Sequence, residues 1–189
     1  GEAQLCSGQL ACANGECDAI ENGTSDGFGK AVSALAAVTA AAKDVAAMND
    51  VNVRAFTGKP VECRMAIAGF SNCCKDSGWG QGIGLAHCDS EEKALGKAKE
   101  KLLTVYVGTY CSKKVLGVCL QKKKAYCQFD SKLAQIVQAQ GRKGQLGIGF
   151  GSGKHPDCRG ITVEELQSLR FDRMDFSNFY SDLNAGTTI

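Results

Sequence analysis

The sequence has few residues from which a metal centre could be built. It contains only two histidines, His87 and His155, and no C-x2-C spacing among its cysteines. A structural zinc site usually takes paired thiolates or imidazoles from such short knuckles, so that the ligands converge tetrahedrally. His87 beside Cys88, and His155 three residues before Cys158, offer only weak spacing of this kind. We therefore expect no metal site and no cofactor.

Long apolar runs and a strong net charge are also missing. The most apolar stretch, AVSALAAVTAAA at 31–42, is alanine-rich and shorter than the roughly 20 residues of a membrane-spanning helix. The formal net charge of +2 is too small to indicate a nucleic-acid partner. Lysines concentrate at 113–114 and 122–124 without interleaved aromatic residues, and this pattern favours a solvated hairpin face.

No complete catalytic pattern is present. The segment GIGFGSGKH at 147–155 has Ile148 where a phosphate-binding loop needs glycine, and His155 where it needs serine or threonine. Its glycines predict a tight, strained loop instead. The carboxylate pairs at 91–92 and 164–165 fall at predicted helix starts, where the helix dipole accounts for them. We therefore expect no catalytic residue and no small-molecule substrate.

Cysteine, in contrast, is abundant. Eleven cysteines are scattered over 189 residues, which favours disulfides and an oxidising compartment. Cys73 and Cys74 are adjacent, and because a bridge between neighbours strains the peptide, we predict a separate distant partner for each, with Trp79 packed over the junction. The odd count means that one thiol is free or that its partner lies outside this chain, and we predict the latter. The predicted structural disulfide cysteines are Cys6, Cys12, Cys17, Cys63, Cys73, Cys74, Cys88, Cys111, Cys119, Cys127 and Cys158.

Composition divides the chain into two regions. Residues 1–26 are rich in glycine, asparagine and cysteine and show no periodicity, so they predict an irregular cysteine-rich arm. Residues 27–189 predict a disulfide-stapled base domain. Because disulfides imply export and the first residues do not form a signal peptide, we expect a mature protein or an excised piece.

The base domain alternates helical and strand patterns. Good helix formers from 31 to 48 place an apolar face at threes and fours, and residues 51–57 alternate as a strand does. Asp89 with Glu92 predicts a capping box for a helix through Leu103. TVYVGTYC, KKVLGVCL and KKKAYCQF predict three short strands, in which the cysteines stand eight residues apart.

The C-terminal third continues the mixture. Asp130 predicts the cap of a helix that stops at Gly141, and Thr162 with Glu165 predicts a second capping box. The resulting fold class is α+β, a small disulfide-rich domain with several helices and short antiparallel strands.

Four long continuous segments of the sequence, and not short motifs, carry a family resemblance. They are DGFGKAVSALAAVTAAAKDVAAMNDVNVRAFTG, AGFSNCCKDSGWGQGIGLAHC, YCSKKVLGVCLQKKKAYCQFDSKLAQIVQ and HPDCRGITVEELQSLRFDRMDFSNFYSDL. Together they resemble the TraN mating-pair stabilisation proteins of F-type conjugative plasmids. The resemblance covers roughly residues 26–184, includes the cysteines from Cys63 to Cys158, and corresponds to the C-terminal base region of the family.

The resemblance implies a non-enzymatic adhesion protein. Such proteins are exported through the periplasm to the outer membrane of the donor cell, where they are exposed at the cell surface and steady paired cells during conjugation. The implied partner is a recipient outer-membrane protein, which is contacted through a tip region that is not evident in this sequence. Components of the conjugative secretion system are further possible partners. Neither nucleic acid nor a small molecule is an expected ligand.

Two other classes of protein fit the same sequence features. One is a structural scaffold of the secretion apparatus; an exposed apolar patch would favour either adhesion or this scaffold role over an enzyme. The other is a periplasmic envelope hydrolase, which needs a cleft that joins His87 or His155 to a carboxylate.

Overall fold

The computed structural model describes residues 2–5, 24–49, 52–65, 72–75 and 88–184. The strands are β1 (Glu2–Leu5), β2 (Asn52–Ala55), β3 (Lys59–Met65), β4 (Thr104–Val115), β5 (Val118–Gln128) and β6 (Ile161–Thr162). The α-helices are α1 (Thr24–Asn49), α2 (Ser90–Glu100), α3 (Lys132–Ile136), α4 (Val163–Ser168) and α5 (Ser177–Asn184). A π-helix (Val137–Gln145) continues α3, and a 3-10 turn (Phe171–Arg173) follows α4. The predicted α+β class is confirmed.

The strands form two three-stranded sheets. In one sheet β2 lies between β1, which is parallel to it, and β6, which is antiparallel. In the other, β5 lies between β3 and β4 and is antiparallel to both. The chain separates into two compact units around these sheets. Unit 1 comprises residues 1–58, 129–149 and 159–189, and unit 2 comprises residues 59–128 and 150–158.

Unit 1 has a conventional apolar core. Leu35, Val38 and Ala42 are buried on one side of α1, as the spacing of apolar residues predicts. Other buried side chains of this unit come from its sheet and its later helices, and include Val53, Ala55, Phe56, Phe129, Leu133, Ile136, Val137, Ile161, Leu166, Phe176 and Phe179.

A buried arginine organises the π-helix of unit 1. Arg142 is fully buried, and its guanidinium donates to the carbonyl oxygens of Gly149 (2.7 Å) and Arg159 (3.0 Å). Gln138, also fully buried, donates to the carbonyl oxygens of Phe56 (2.8 Å) and Arg159 (3.1 Å). Because buried polar groups are stable only when they are hydrogen-bonded, these two side chains fix the surrounding loops in one arrangement.

Both predicted capping boxes are present. Asp89 accepts from the backbone of Glu92, and Thr162 accepts from the backbone of Glu165, with each glutamate returning a bond to its cap. The predicted end of the helix that follows Asp89, at about Leu103, is wrong. The helix α2 ends at Glu100, and Leu102 adopts the left-handed conformation (φ 62°) before β4.

Two details of the next helix also differ from the prediction. Its cap is Ser131, whose hydroxyl accepts from the backbone of Ala134 at 3.1 Å, and not Asp130. Gly141 does not end the helix. A Cβ there would lie 2.9 Å from methyl carbons of Leu169 and Met174, so this glycine serves close packing, and the backbone continues as the π-helix.

The three predicted short strands are two long ones. Val115 pairs with Val118, so Leu116 and Gly117 alone connect β4 to β5. Both have positive φ (50° and 78°), as in a type I′ hairpin turn. The sequence Leu-Gly hides this turn, because Asn-Gly or Asp-Gly is the usual signal.

Several predictions fall outside the described residues. Most of the predicted arm, with Cys6, Cys12 and Cys17, lies there, as do Trp79 and His87. The division into residues 1–26 and 27–189 therefore stays a prediction.

Candidate partner-binding surface of unit 2

Disulfides tie β3 and α2 of unit 2 to one short segment. Cys74 bonds to Cys63 of β3 with a Cα–Cα distance of 5.3 Å, and Cys73 bonds to Cys88, just before α2, at 5.7 Å. The adjacent cysteines thus have separate partners. All four are buried in one cluster with Leu95 and Tyr126. Because few large apolar side chains join this cluster, the bridges contribute a large share of its stability.

An ion pair between the partly exposed Arg64 and the buried Glu92 holds the start of α2 against β3. The backbone N–H of Arg64 donates to Glu92 Oε2 at 2.8 Å, and its Nη2 donates to Oε1 at 2.5 Å. The N–H of Asp89 donates to the same Oε1 at 3.0 Å. Burial alone would raise the pKa of Glu92, but the bonds from Arg64 and Asp89 outweigh it and hold the pKa below its usual value.

The two sulfurs beside this ion pair lie as close to a carboxylate as metal ligands would, but they cannot act as thiolate ligands. Ligand atoms of Cys73, Cys88 and Glu92 lie within 4.8 Å of one another. The two sulfurs are bonded to each other, and Glu92 is held by Arg64. A metal needs deprotonated thiolates, so this cluster is a crosslink and an ion pair.

A cleft of about 530 Å³ opens on unit 2 near the glycine-rich loop. Glu62 and Glu91 face it, together with Lys59 and Lys154, whereas the exposed His155 is absent from its described lining. Glu62 accepts from Tyr110 Oη at 2.5 Å and from Lys123 Nζ at 3.1 Å. Burial and the bond to Glu62 raise the pKa of Tyr110 to about 12. These contacts join β3 to β4 and β5.

The glycine-rich loop closes against the hairpin of unit 2. A Cβ on Gly153 would lie 2.8 Å from backbone atoms of Gly108 and Thr109, so β4 and the loop touch backbone to backbone. Gly151 has a positive φ (83°). Cys158 bonds to Cys127 of β5 at a Cα–Cα distance of 5.5 Å. The loop is tight, as predicted, and the strain stays a prediction, because glycine adopts a positive φ without strain.

The hairpin β4–β5 carries an exposed apolar end. Leu116 is 98% exposed, and the other exposed apolar side chains at this end are Val115, Val118 and Leu120. We call these four residues the tip. Cys111 and Cys119 are bonded across the hairpin just behind it, with a Cα–Cα distance of 5.9 Å. The hydroxyl of Ser112 donates to the backbone carbonyl of Gln121 at 3.1 Å, which adds a further crosslink.

A band of positive charge follows the tip. Lys113, Lys114 and Lys122 are exposed, and we call them the collar. The hairpin residues 104–128 include Lys123 and Lys124 as well but no aspartate or glutamate, so they carry +5, against +2 for the whole chain. The sequence predicts the lysine-bearing hairpin face but misses the tip. The available signal is VLGV, an apolar run that continues through a turn.

Aromatic rings and lysines line the other end of the hairpin. The rings of Tyr106 and Tyr126 are in edge contact with centroids 5.5 Å apart. Lys99 Nζ lies 4.9 Å from the centroid of Tyr126, and Lys124 Nζ lies 6.0 Å from that of Tyr106. With Asn72, Lys75 and the backbone of Cys74, they border an open cleft of about 650 Å³. Lysines therefore lie at both ends of the hairpin.

None of the described helices combines the length and apolar character that crossing a bilayer requires.

Comparison with known proteins gives the chain its family. A family model described as "F-type Type IV secretion system, TraN" matches residues 1–162. The mating pair stabilization protein TraN of Escherichia coli (strain K12) is 67% identical over 183 residues, which is 97% of this chain and 30% of that protein. The chain thus spans less than a third of the length of that relative. No solved structure matches it. On the strength of the family model and this identity, the chain belongs to the TraN family of the F-type type IV secretion system.

Proposed function

We propose that this chain is the disulfide-stapled base region of a mating pair stabilisation protein that acts in bacterial conjugation. The observation that carries the proposal is the 67% identity to the E. coli TraN protein over nearly the whole chain. The chain would be non-enzymatic and exposed at the outer membrane of the donor cell. Contact with a recipient outer-membrane protein would then be made by the receptor-contacting tip region of the family. That region lies outside this chain and is distinct from the hairpin tip defined above.

The crosslinks of unit 2 suit this role physically. Four described disulfides tie together strands, a helix and a loop within one unit. A protein that holds two cells together experiences shear and extracellular proteases, and both act on locally opened segments. Crosslinks restrict such opening where the apolar core is small. The eleven cysteines, including the three outside the described residues, are proposed as structural staples.

The test compares mating in shaken liquid with mating on a filter. Donors that lack the full-length protein are complemented with the unsubstituted protein or with an empty vector. If the protein stabilises mating pairs, its absence reduces DNA transfer strongly in shaken liquid and much less on the filter, because the support itself holds the cells together. Labelling of exposed lysines on intact donors, with a membrane-impermeant reagent, tests the location at the cell surface.

A different pattern would contradict the proposal. Equal loss of transfer in liquid and on the filter would indicate that the protein is a scaffold needed to assemble the secretion apparatus. Absence of labelling on intact cells, with labelling after lysis, would place the protein inside the envelope and remove the adhesion role.

A further inference from the structure

The hairpin tip has a composition that folding does not explain. Leu116 is almost completely exposed and adopts a left-handed conformation (φ 50°), which bulky L-residues disfavour and which asparagine or glycine tolerates. Val115, Val118 and Leu120 are each more than half exposed beside it. Backbone strain at a position that contributes no packing within the described structure points to a role outside the fold.

Charge and apolar character are arranged along the hairpin in zones. Leu116 lies at the turn, the collar lysines Lys113 and Lys114 lie two to three residues before it, and Lys122 lies further back on β5, opposite Cys111. At about 3.4 Å per strand residue, Lys122 stands roughly 17 Å behind Leu116, and Lys113 and Lys114 stand roughly 7–10 Å behind it. The latter spacing matches the roughly 5–10 Å by which interfacial apolar side chains enter the boundary between headgroups and acyl chains.

From these features we propose that the β4–β5 hairpin docks on a lipid surface that bears anionic phosphate headgroups. The tip inserts among the acyl chains, and the collar lysines contact the phosphates. The hairpin carries five lysines and no carboxylate. Lys123 is paired with Glu62 of β3, and the exposed collar lysines complement an anionic surface. The Cys111–Cys119 bridge holds the tip in one conformation and reduces the entropy lost on docking.

The small size of the tip favours a membrane over a protein partner. A stable protein interface buries about 800 Å² on each side, which four side chains at the end of a hairpin do not supply. Membrane binding needs less specific area, because each buried apolar side chain and each nearby lysine adds its own contribution. The inference goes beyond the proposed function, since a chain can bind lipid whether or not it stabilises mating pairs.

The test uses flotation with lipid vesicles. The chain is mixed with vesicles of phosphatidylcholine alone or of phosphatidylcholine with phosphatidylglycerol. We expect it to float with the anionic vesicles and to stay below the neutral ones, and we expect added salt to weaken the binding. Failure to float with either kind of vesicle overturns the proposal and assigns the tip to a protein partner.

Two variants separate the two zones. The tip variant, Leu116→Asn with Val118→Thr, keeps a turn-compatible residue and a β-branched strand residue, so the hairpin still folds. We expect it to bind anionic vesicles about tenfold more weakly or worse, because one Leu insertion alone corresponds to that ratio. The collar variant, Lys113→Gln, Lys114→Gln and Lys122→Gln, is expected to lose about a hundredfold, at roughly fivefold per lysine.

A matched control removes the same charge elsewhere. Lys93, Lys97 and Lys101 of unit 2 are also exposed, and their replacement by glutamine should leave vesicle binding within about twofold if the collar acts by position, since exposed charges away from the lipid surface are screened by salt. Equal losses in the collar and control variants would overturn the proposed orientation, and unchanged binding of the tip variant would overturn insertion. Disulfide mapping of each variant verifies that its hairpin has folded. Mating assays are not involved, so failure here is distinct from failure of the proposed function.

Discussion

Units 1 and 2 of this chain are stabilised in different ways. Unit 1 buries large apolar side chains around a hydrogen-bonded Arg142, and its described residues include no cysteine. Unit 2 contains all four described disulfides, and its buried cluster is mostly cysteine. The difference shows how one chain supports both a packed core and an exposed sheet. Crosslinks replace apolar burial in unit 2, which leaves its hairpin surface available for charge and for the exposed tip.

Removal of the Cys127–Cys158 bridge should have the largest effect and should fall on unit 2. The bridge spans 31 residues and joins β5 to the glycine-rich loop. In the chain-entropy account, the variant Cys127→Ser with Cys158→Ser loses about 4 kcal/mol of unfolding free energy. Cys111→Ser with Cys119→Ser is the matched control, because its bridge spans only eight residues, and it should lose roughly 2.5 kcal/mol.

Segment-resolved hydrogen exchange, together with urea unfolding, checks this prediction. Protection should fall in β3 and β5 and persist in α1. Equal loss of protection in α1 would show that the two units do not differ in the way proposed.

Replacement of Arg142 by methionine should destabilise unit 1, as removal of the bridge destabilises unit 2. The change keeps much of the side-chain volume but removes the hydrogen bond that the guanidinium donates to each of the carbonyl oxygens of Gly149 and Arg159. The Arg159 carbonyl keeps its bond from Gln138. Hydrogen bonds from a charged group contribute about 1.5–3 kcal/mol each, and we expect a loss of about 3 kcal/mol in total.

Chemical denaturation measures that loss, and the exposed Arg173→Met is its control, with an expected change within about 0.5 kcal/mol. The disulfides of unit 2 should still form in both variants. A loss for Arg142→Met no larger than for its control would mean that the buried network adds little to unit 1.

A methyl group on Gly153 should loosen the backbone contact inside unit 2. The added Cβ would lie 2.8 Å from backbone atoms of Gly108 and Thr109, which cannot rotate away. We expect Gly153→Ala to lose about 2 kcal/mol, as overpacking usually does. Gly149→Ala is the control, because no atom lies within 4 Å of its added Cβ. Similar thermal stability of the two variants would argue against the close approach of β4 and the loop.

Lowering the pH should have the smallest effect on the free energy of unfolding and should destabilise both units. Each unit contains a capping-box glutamate bonded to an arginine, Glu92 to Arg64 and Glu165 to Arg159. The bonds from Arg159 lower the pKa of Glu165 to about 2, from 4.5. Because the folded-state pKa is depressed, this stabilisation is complete above pH 4.5 and is lost as the pH falls through about 2.

We expect a loss of about 1 kcal/mol from Glu165 after solvent screening, and a loss in the same direction from Glu92, whose pKa is also lowered. Unfolding curves recorded between these pH values measure it. Glu165→Gln should flatten the dependence, whereas the exposed neighbour Glu164→Gln should leave it unchanged. The same slope in both variants would exclude Glu165 as its source.

Local signals made much of the fold predictable. Both capping boxes follow from Asp89 with Glu92 and from Thr162 with Glu165, since the bonds join residues three positions apart. The buried face of α1 follows from the spacing of Leu35, Val38 and Ala42. These features depend on neighbours in the sequence, which is why the sequence carries them.

Features that depend on distant residues could not be predicted in the same way. Gly141 resembles a helix stop, yet its role is set by Leu169 and Met174, which are 28 and 33 residues away in the sequence. The partners of Cys63, Cys73, Cys74 and Cys88 depend on the docking of α2 against β3. The exposed tip was hidden for another reason, because the apolar VLGV run suggests a buried strand until the turn at Leu116 and Gly117 is known.

The adjacency of Cys73 and Cys74 also has a consequence for how the chain folds. If the two residues exchanged partners, each loop would change by a single residue, and the closure entropies would differ by only about 0.1 kcal/mol. Chain statistics in the unfolded state therefore cannot select the native pairing. The native disulfide pairing is therefore selected only after native packing has formed, in which Glu92 is bonded to Arg64. We expect scrambled isomers to accumulate during oxidative refolding, and a disulfide isomerase to accelerate the final step more than an oxidant does.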